Sequence, residues 1–354
     1  MNRLLPQLLF FLQLHRMLRY IIRKRIHILM YHGFADRTAH DGIENHQAKY
    51  MPINLFRSQL AYLAKYHQVI PLQRLVDFYT KGDALPDNAV VITIDDGYRS
   101  AYTLAYPVLG EYQMPATLFI ATDFVDNKQP LWTDRVEYAV SKATVERLEL
   151  PTASGVLPLA FDTNTAKKVS NRRIRSAIKA MPQGERDAMV ARLERDSQPV
   201  VPLSKGMPEL HRPVTWQEVS DMRASGLISI GSHTHTHKIL ARCSAEESYR
   251  ELALSKQIIE ARIGGDCTFF CYPNGQAGDF DSRTREQLQA LGYACGINSV
   301  SGLNDRNSDR FELLRFSPGK DLRTFQEKLS GVKTFFARMK RYFPFLARRL
   351  VSAG

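Results

Sequence analysis

The stretch A-V-V-I-T-I-D-D-G-Y-R-S, Ala89 to Ser100, sets the reading of the whole chain. Five apolar or β-branched residues, Val90 to Ile94, run straight into Asp95, Asp96 and Gly97. A continuous Val/Ile run bounded by glycine predicts a strand buried on both faces. Two carboxylates at its end cannot continue into an apolar core, because an unpaired buried charge is too costly. They belong at the strand's mouth, facing water or a cation. An acidic turn that merely stops a strand has the same spelling, so the weight falls on the rest of the chain.

Three further segments end in the same way. R-I-H-I-L-M-Y-H-G (25–33) is an apolar run closed by His32 and Gly33. Leu227 to Ile230 leads into G-S-H-T-H-T-H, and Cys267 to Tyr272 leads into Pro-Asn-Gly. Pro115 to Ala121 (PATLFIA) and Tyr293 to Ile297 add two strands. Helical spacing separates them: Phe56, Leu60 and Leu63 behind a candidate cap at Asn54, then Ser100 to Tyr112. Ser244 and Glu247 form a capping-box pair opening a helix that stops at Gly264-Gly265, and Thr284 to Leu291 precedes Gly292. Strand alternating with helix at this spacing implies βαβ units and a parallel sheet or barrel. Residues from about 135 to 210 carry dense mixed charge, helical spacing and few β-branched runs, and are expected to be a mainly helical insertion.

The strand ends of a βα barrel form one rim, where side chains from distant parts of a chain converge. His233 and His237 with an aspartate make a two-histidine, one-carboxylate set suited to a divalent metal with open positions. Adjacent aspartates allow a division of labour, one binding the metal and the other taking the proton of an attacking water.

Composition bounds the partners. A chain of 354 residues supports one large core with a small appendage. Its net charge of +12 is accounted for by the ends alone. Residues 1–25 carry six Lys or Arg and no acid, and residues 333–354 carry another six and no acid. The body between is formally neutral, which argues against a nucleic-acid enzyme. Both ends are also rich in Leu, Ile and aromatics, the pattern of amphipathic segments lying on an anionic membrane surface. The run from Leu4 to Leu14 is interrupted by Pro6, Gln7 and Gln13 with no small-residue cleavage site after it. No run of about 18 apolar residues suggests a spanning helix. The expected location is therefore cytoplasmic and peripheral at an inner membrane, the alternative being a periplasmic body on an uncleaved N-terminal anchor. The four cysteines, Cys243, Cys267, Cys271 and Cys295, fit neither a disulfide framework nor paired zinc-binding CxxC motifs, and read as buried free thiols.

I-D-D-G, S-H-T-H-T-H and F-C-Y-P-N-G, in that order, resemble the polysaccharide deacetylase family with the NodB-type catalytic domain, carbohydrate esterase family 4. L-M-Y-H at 29–32, P-A-T-L-F-I-A-T at 115–122, the Trp132/Asp134 pair and L-L-R-F at 313–316 extend the likeness over residues 26 to about 320. The resemblance is nearest to the subgroup that includes poly-N-acetylglucosamine deacetylases. It implies an irregular (β/α) barrel over 26–325, flanked by the basic segments 1–25 and 326–354. It also implies metal-assisted removal of N-acetyl, or less readily O-acetyl, groups from a bacterial surface polysaccharide or its lipid-linked precursor. Carried over, Asp95 is the general base, and Asp96, His233 and His237 hold a divalent ion, zinc foremost, with cobalt, nickel or manganese as options. His235 falls at a variable position of the motif.

Two departures from the family pattern redirect roles. The usual arginine of the third motif is replaced in Phe270–Gly275, as in that subgroup, and the resemblance implies that the backbone around Tyr272, Pro273 and Asn274 helps bind the oxyanion. No histidine follows His237 to supply the family's late Leu-x-His acid. The resemblance to the subgroup, in which an early Tyr-His provides the acid, implies that His32 takes this role, with Arg315 the candidate for orienting Asp95. Tyr98 and Trp132 are candidates for a sugar-binding groove. Competing readings are a catalytically inactive member that binds glycan or scaffolds a membrane assembly, and a hydrolase of the same fold acting on a non-sugar amide.

Overall fold

In the computed structural model, residues 19–331 are described except 39, 153, 154, 200, 202, 204 and 205. Most of the two basic ends therefore lies outside the described residues.

Seven parallel strands form the sheet: β1 (His27–Tyr31), β2 (Gln68–Val69), β3 (Ala89–Ile94), β4 (Ala116–Ile120), β5 (Ile228–Ser232), β6 (Phe269–Cys271) and β7 (Cys295–Ile297). Their order is β1-β3-β4-β5-β6-β7, with β2 pairing the start of β3. The Val/Ile run of β3 and the A-T-L-F-I run of β4 are buried at every position, as continuous apolar runs require. Leu313–Phe316 fills the gap between β7 and β1. Leu313 pairs with Ile297 and Phe316 with Leu29, both in parallel. Hydrogen bonds from Leu313 N to Gly296 O (3.0 Å) and from Phe316 N to Ile28 O (3.1 Å) close the ring. The fold is an irregular (β/α) barrel.

Period-2 alternation then sorts the side chains. Leu29, Tyr31, Val90, Ile92, Ile94, Ile228 and Ile230 belong to the larger core, packed against the helices. Ile28, Ala89, Val91, Phe119, Phe269, Cys271, Cys295, Ile297 and Leu313 form a second cluster to which strands all around the ring contribute, so it is the barrel interior. Gly231 is needed there. A Cβ on it would lie 2.6 Å from the Phe119 ring and 2.9 Å from Phe269 O.

Helices cover the outside. Ile53–Tyr66 buries Phe56, Leu60 and Leu63 as the spacing indicates, but it starts behind Pro52 with no side-chain cap, so Asn54 is not its cap. Ala245–Ile263 has Ser244 accepting from Glu247 N, and ends at Gly264 with φ +64°. Only half of the capping box forms, because the Glu247 carboxylate is taken by Lys238 at 2.7 Å. Ser282–Ala290 matches the expected helix before Gly292.

The insertion is mainly helical, as the spacing indicates, with one unexpected element. Between helices Trp132–Ser141 and Asn164–Ala180 lies an antiparallel ribbon, Arg147–Thr152 with Gly155–Ala160, followed by helix Gln183–Asp196. Helix still predominates, the two strands being short beside the helices, and the region packs around its own core of Leu150, Leu159, Ile174, Ile178, Val190 and Leu193. The ribbon is spelled R-L-E-L-P-T and G-V-L-P-L-A, with leucine in place of Val/Ile. Leucine favours helix locally, and proline is tolerated because each strand keeps one edge unpaired. Helix Asn164–Ala180 supplies the apolar cover that turns the alternation into strand.

Candidate active site

The interior parity explains which groups meet. Val91 and Thr93 point inward on β3, and Asp95 continues that parity beyond the strand. Leu313 points inward, and so does Arg315. Arg315 donates to both oxygens of Asp95, Nη1 to Oδ1 at 2.8 Å and Nη2 to Oδ2 at 2.5 Å. Both side chains are only 1% exposed. The fork is held by Nε donating to Asn298 O (2.8 Å) and Nη1 to Thr93 Oγ1 (3.0 Å), and Nη2 also lies 2.9 Å from Cys271 Sγ. Burial pushes the Asp95 carboxyl up, but the Arg315 guanidinium, with His233 and His32, outweighs it and holds the group below its ordinary value.

Asp96 leaves the strand with φ +76°, which turns its carboxylate across the rim. Its Oδ1 lies 3.4 Å from His233 Nε2 and 3.3 Å from His237 Nε2. The three ligand atoms lie within 4.8 Å of one another, and all three residues are buried. Donors about 2.0–2.1 Å from a tetrahedral ion stand about 3.3 Å apart, so these separations match a shared cation better than N–H···O bonds of ordinary length. His233 Nδ1 donates to Cys271 O at 2.7 Å, which leaves the Nε2 lone pair facing Asp96. Burial presses both imidazoles toward the neutral form that a metal requires, and His237 is held low. At His233, burial is outweighed by Cys271 and the facing Asp96 carboxylate, which raise it. Asp95, His233 and Cys271 also cluster, but Arg315 already occupies both Asp95 and Cys271.

The loop bearing the histidines is pinned from two sides. Glu251 accepts from Thr236 N (2.8 Å) and Thr236 Oγ1 (2.7 Å), and His235 Nδ1 meets Thr122 Oγ1 at 2.8 Å, away from the Asp96 cluster. Thr234, His237 and Asn274 share with Asp96 a positive φ. Four left-handed non-glycine residues at one rim cost about 1–2 kcal/mol each, a strain typical of positions where geometry serves chemistry.

His32 continues the inward parity of β1. Its Nε2 lies 3.9 Å from Asp95 Oδ2, and the side chain is 31% exposed. Burial lowers its pKa, partly offset by Asp96 and Asp95.

Three expectations change. Tyr272 has no free N–H for an oxyanion. Its N donates to Ile297 O (3.0 Å), its hydroxyl to Phe311 O (2.8 Å), and its ring stacks on Phe280. Pro273 has no N–H at all, so of this trio only Asn274 keeps donors. Its Nδ2 is buried with no partner among the described residues. Tyr98, fully buried, donates to Asp134 Oδ2 at 2.7 Å, and Trp132, 6% exposed, sits in the insertion core. Neither lines a groove. Glu251, Thr93 and Asn298, which brace the site, carry no motif of their own. Only their hydrogen bonds reveal them.

The geometry can be set beside known proteins. An Escherichia coli protein named poly-beta-1,6-N-acetyl-D-glucosamine N-deacetylase is 32% identical over 111 residues, 30% of this chain but only 16% of that protein's length. YxkH of Bacillus subtilis is 27% identical over 313 residues, 87% of this chain and 77% of its own. Among solved structures, the Streptococcus pyogenes deacetylase PplD, in complex with acetate, is 15% identical. It covers 86% of this chain and 98% of its own, with a TM-score of 0.56. IcaB from Ammonifex degensii is 16% identical over 87% of this chain and 97% of its own, with a TM-score of 0.53. These two share the barrel fold. The model of one family, described as polysaccharide deacetylase, matches residues 82–296, from ahead of β3 into β7 and through Asp95, Asp96, His233 and His237. On that match, joined to the barrel and the cluster at its rim, the chain belongs to the polysaccharide deacetylase family.

Proposed function

We propose that the protein is a metal-dependent deacetylase that hydrolyses N-acetyl groups on an acetylated glycan, a surface polysaccharide or its lipid-linked precursor. The observation that carries this reading is the Asp96–His233–His237 cluster standing beside an Asp95 gripped by Arg315. Those three residues would hold a divalent ion, with zinc the best match to two imidazoles and one carboxylate, and cobalt, nickel and manganese as substitutes. Such an ion supplies Lewis-acid polarisation of the acetyl carbonyl and acidifies a water.

The chain's own residues do the rest. Asp95, ionised and fixed by Arg315, accepts the proton of the attacking water. Asn274 offers its donors to the oxygen that gains charge, a role transferred from Tyr272. His32, beside Asp95 and open to the cleft, gives a proton to the departing sugar amine. Arg315 touches no reacting atom and acts by orienting Asp95 and keeping it charged.

For location, the basic apolar ends support a body lying on the cytoplasmic face of an inner membrane. The alternative is a periplasmic body tethered by its N-terminus. Among the described residues, no helix is long and apolar enough to cross a membrane.

The test is acetate release from short N-acetylglucosamine oligomers, using full-length protein stripped of metal and then supplied with zinc or cobalt. Restored release that is lost in Asp95→Asn, with one metal still bound per chain, is the expected result. Full activity in Asp95→Asn would overturn the assignment of the base. Metal bound without release would point to a non-sugar amide, and neither metal nor release to a scaffold.

A further inference from the structure

A cavity of about 490 Å³ opens beside His32, large enough for a sugar with a substituent. Its lining includes Lys49, Arg175 and Lys320, the histidines His32 and His40, and not one carboxylate. The body of the chain is formally neutral, so this is a local concentration of positive charge at the acid residue of the site.

Two of the three cations are unspent. Arg175 reaches in from the insertion. Its Nη1 donates to Gln47 Oε1 at 2.5 Å, and neither Arg175 nor Lys320 pairs with a carboxylate among the described residues. A guanidinium has five N–H donors, so most of Arg175's remain available. Lys49 is already paired with the buried Asp134 carboxylate, so it is the one cation of the three whose charge is spent. A neutral glycan needs no such wall, and a cationic one would be repelled by it.

We infer that the substrate carries an anionic phosphate group next to the acetamido sugar, and that Arg175 and Lys320 bind it. This rests on the deacetylase reading above and deepens it by naming the substrate class. The phosphate has two possible sources, a lipid carrier or a nucleoside diphosphate, and both present the same oxygens to the cations.

The experiment compares acetate release by zinc-loaded full-length protein from three substrates. These are a neutral N-acetylglucosamine oligomer, a nucleoside-diphosphate N-acetylglucosamine, and polyprenyl-diphosphate-linked N-acetylglucosamine in micelles. Binding of inorganic pyrophosphate is followed separately by calorimetry. The expected result is a kcat/KM at least about tenfold higher for a phosphorylated substrate, carried by KM. In Arg175→Gln that preference should fall about tenfold and in Lys320→Gln less, with partial recovery in Arg175→Lys. Preference for the micellar substrate would identify the lipid source, and preference for the nucleotide the soluble one. A neutral oligomer used equally well, or a preference untouched by Arg175→Gln, would overturn the inference and leave the deacetylase reading standing. If no substrate releases acetate, the deacetylase reading fails by itself. Pyrophosphate binding that weakens in Arg175→Gln then supports the anion site, and binding that is absent or unchanged overturns it.

Discussion

Arg315 places two donors on the two oxygens of a buried carboxylate, and both residues lose their solvation to do so. Breaking one side of such a pair is far costlier than the pair is stabilising, about 3–5 kcal/mol. Arg315→Gln should therefore lower stability by about 3 kcal/mol, read by urea unfolding. It should also move the acidic limb of the pH–rate profile. As the proposed base Asp95 works ionised, so activity should fall as pH drops through its pKa. Arg315 holds that pKa down, and its loss lets burial raise it, so the limb shifts to higher pH. A limb that stays put would mean Arg315 is structural only. As the proposed acid His32 works protonated, so its limb should lie on the alkaline side, where activity falls as pH rises. Burial sets this limb below the usual histidine value, and it should vanish in His32→Asn. Of these residues, Asp95, Asp96, His233 and His237 were legible from motif spelling. Arg315 was a candidate only, because an arginine in L-L-R-F spells no partner. Its partner is set by a strand segment 220 residues away in sequence.

At the level of elements, the histidine loop depends on β5 and on the helix that follows it. Gly231 lies where the Phe119 ring and Phe269 O leave no room for a Cβ. Gly231→Ala should cost about 1–3 kcal/mol of overpacking and displace His233, two residues on, so zinc affinity should fall alongside stability. Unchanged zinc affinity would show that the loop is independent of the strand. Glu251 grips both the N–H and the hydroxyl of Thr236, between the two histidines. Glu251→Gln retains the shape but loses the charge, and should weaken zinc binding by about tenfold, measured by competition with a chelator. Strand and helix identities around the barrel followed from apolar runs and caps, since each is a local property. The insertion's ribbon did not, because its leucines and prolines become strand only under the cover of helix Asn164–Ala180.

For the molecule as a whole, three imidazoles are buried in neutral form. Burial lowers His27 to about 4, and His67 and His211 to about 3. The unfolded chain takes up these protons near the ordinary value of about 6.5 while the folded one does not, so the unfolded state binds more protons in that window and stability falls with pH. Each should remove about 2 kcal/mol by pH 5, at 1.36 kcal/mol per pKa unit. Denaturant midpoints between pH 7 and 5 should show the slope, reduced by roughly a third in His67→Gln. An equal slope in the variant would exclude the histidine account. The four cysteines are all buried and free, and burial raises Cys243, Cys267 and Cys295 to about 12. The native protein should resist a thiol reagent that labels four groups after unfolding. What the sequence determined by itself was local: the buried parallel strands, the turns that end them, and the acidic and histidine motifs at those turns, because hydrophobic period and turn chemistry act over a few residues. What only the tertiary structure decided was closure. Leu313–Phe316 completes the ring between β7 and β1, and closure turns alternate residues of separate strands to a single interior. Inward parity beyond the strand ends then brings His32, Asp95, His233 and Arg315 together. The same packing consumes the Tyr272 N–H and buries Trp132, since which donors and rings remain free depends on neighbours that no local spelling names.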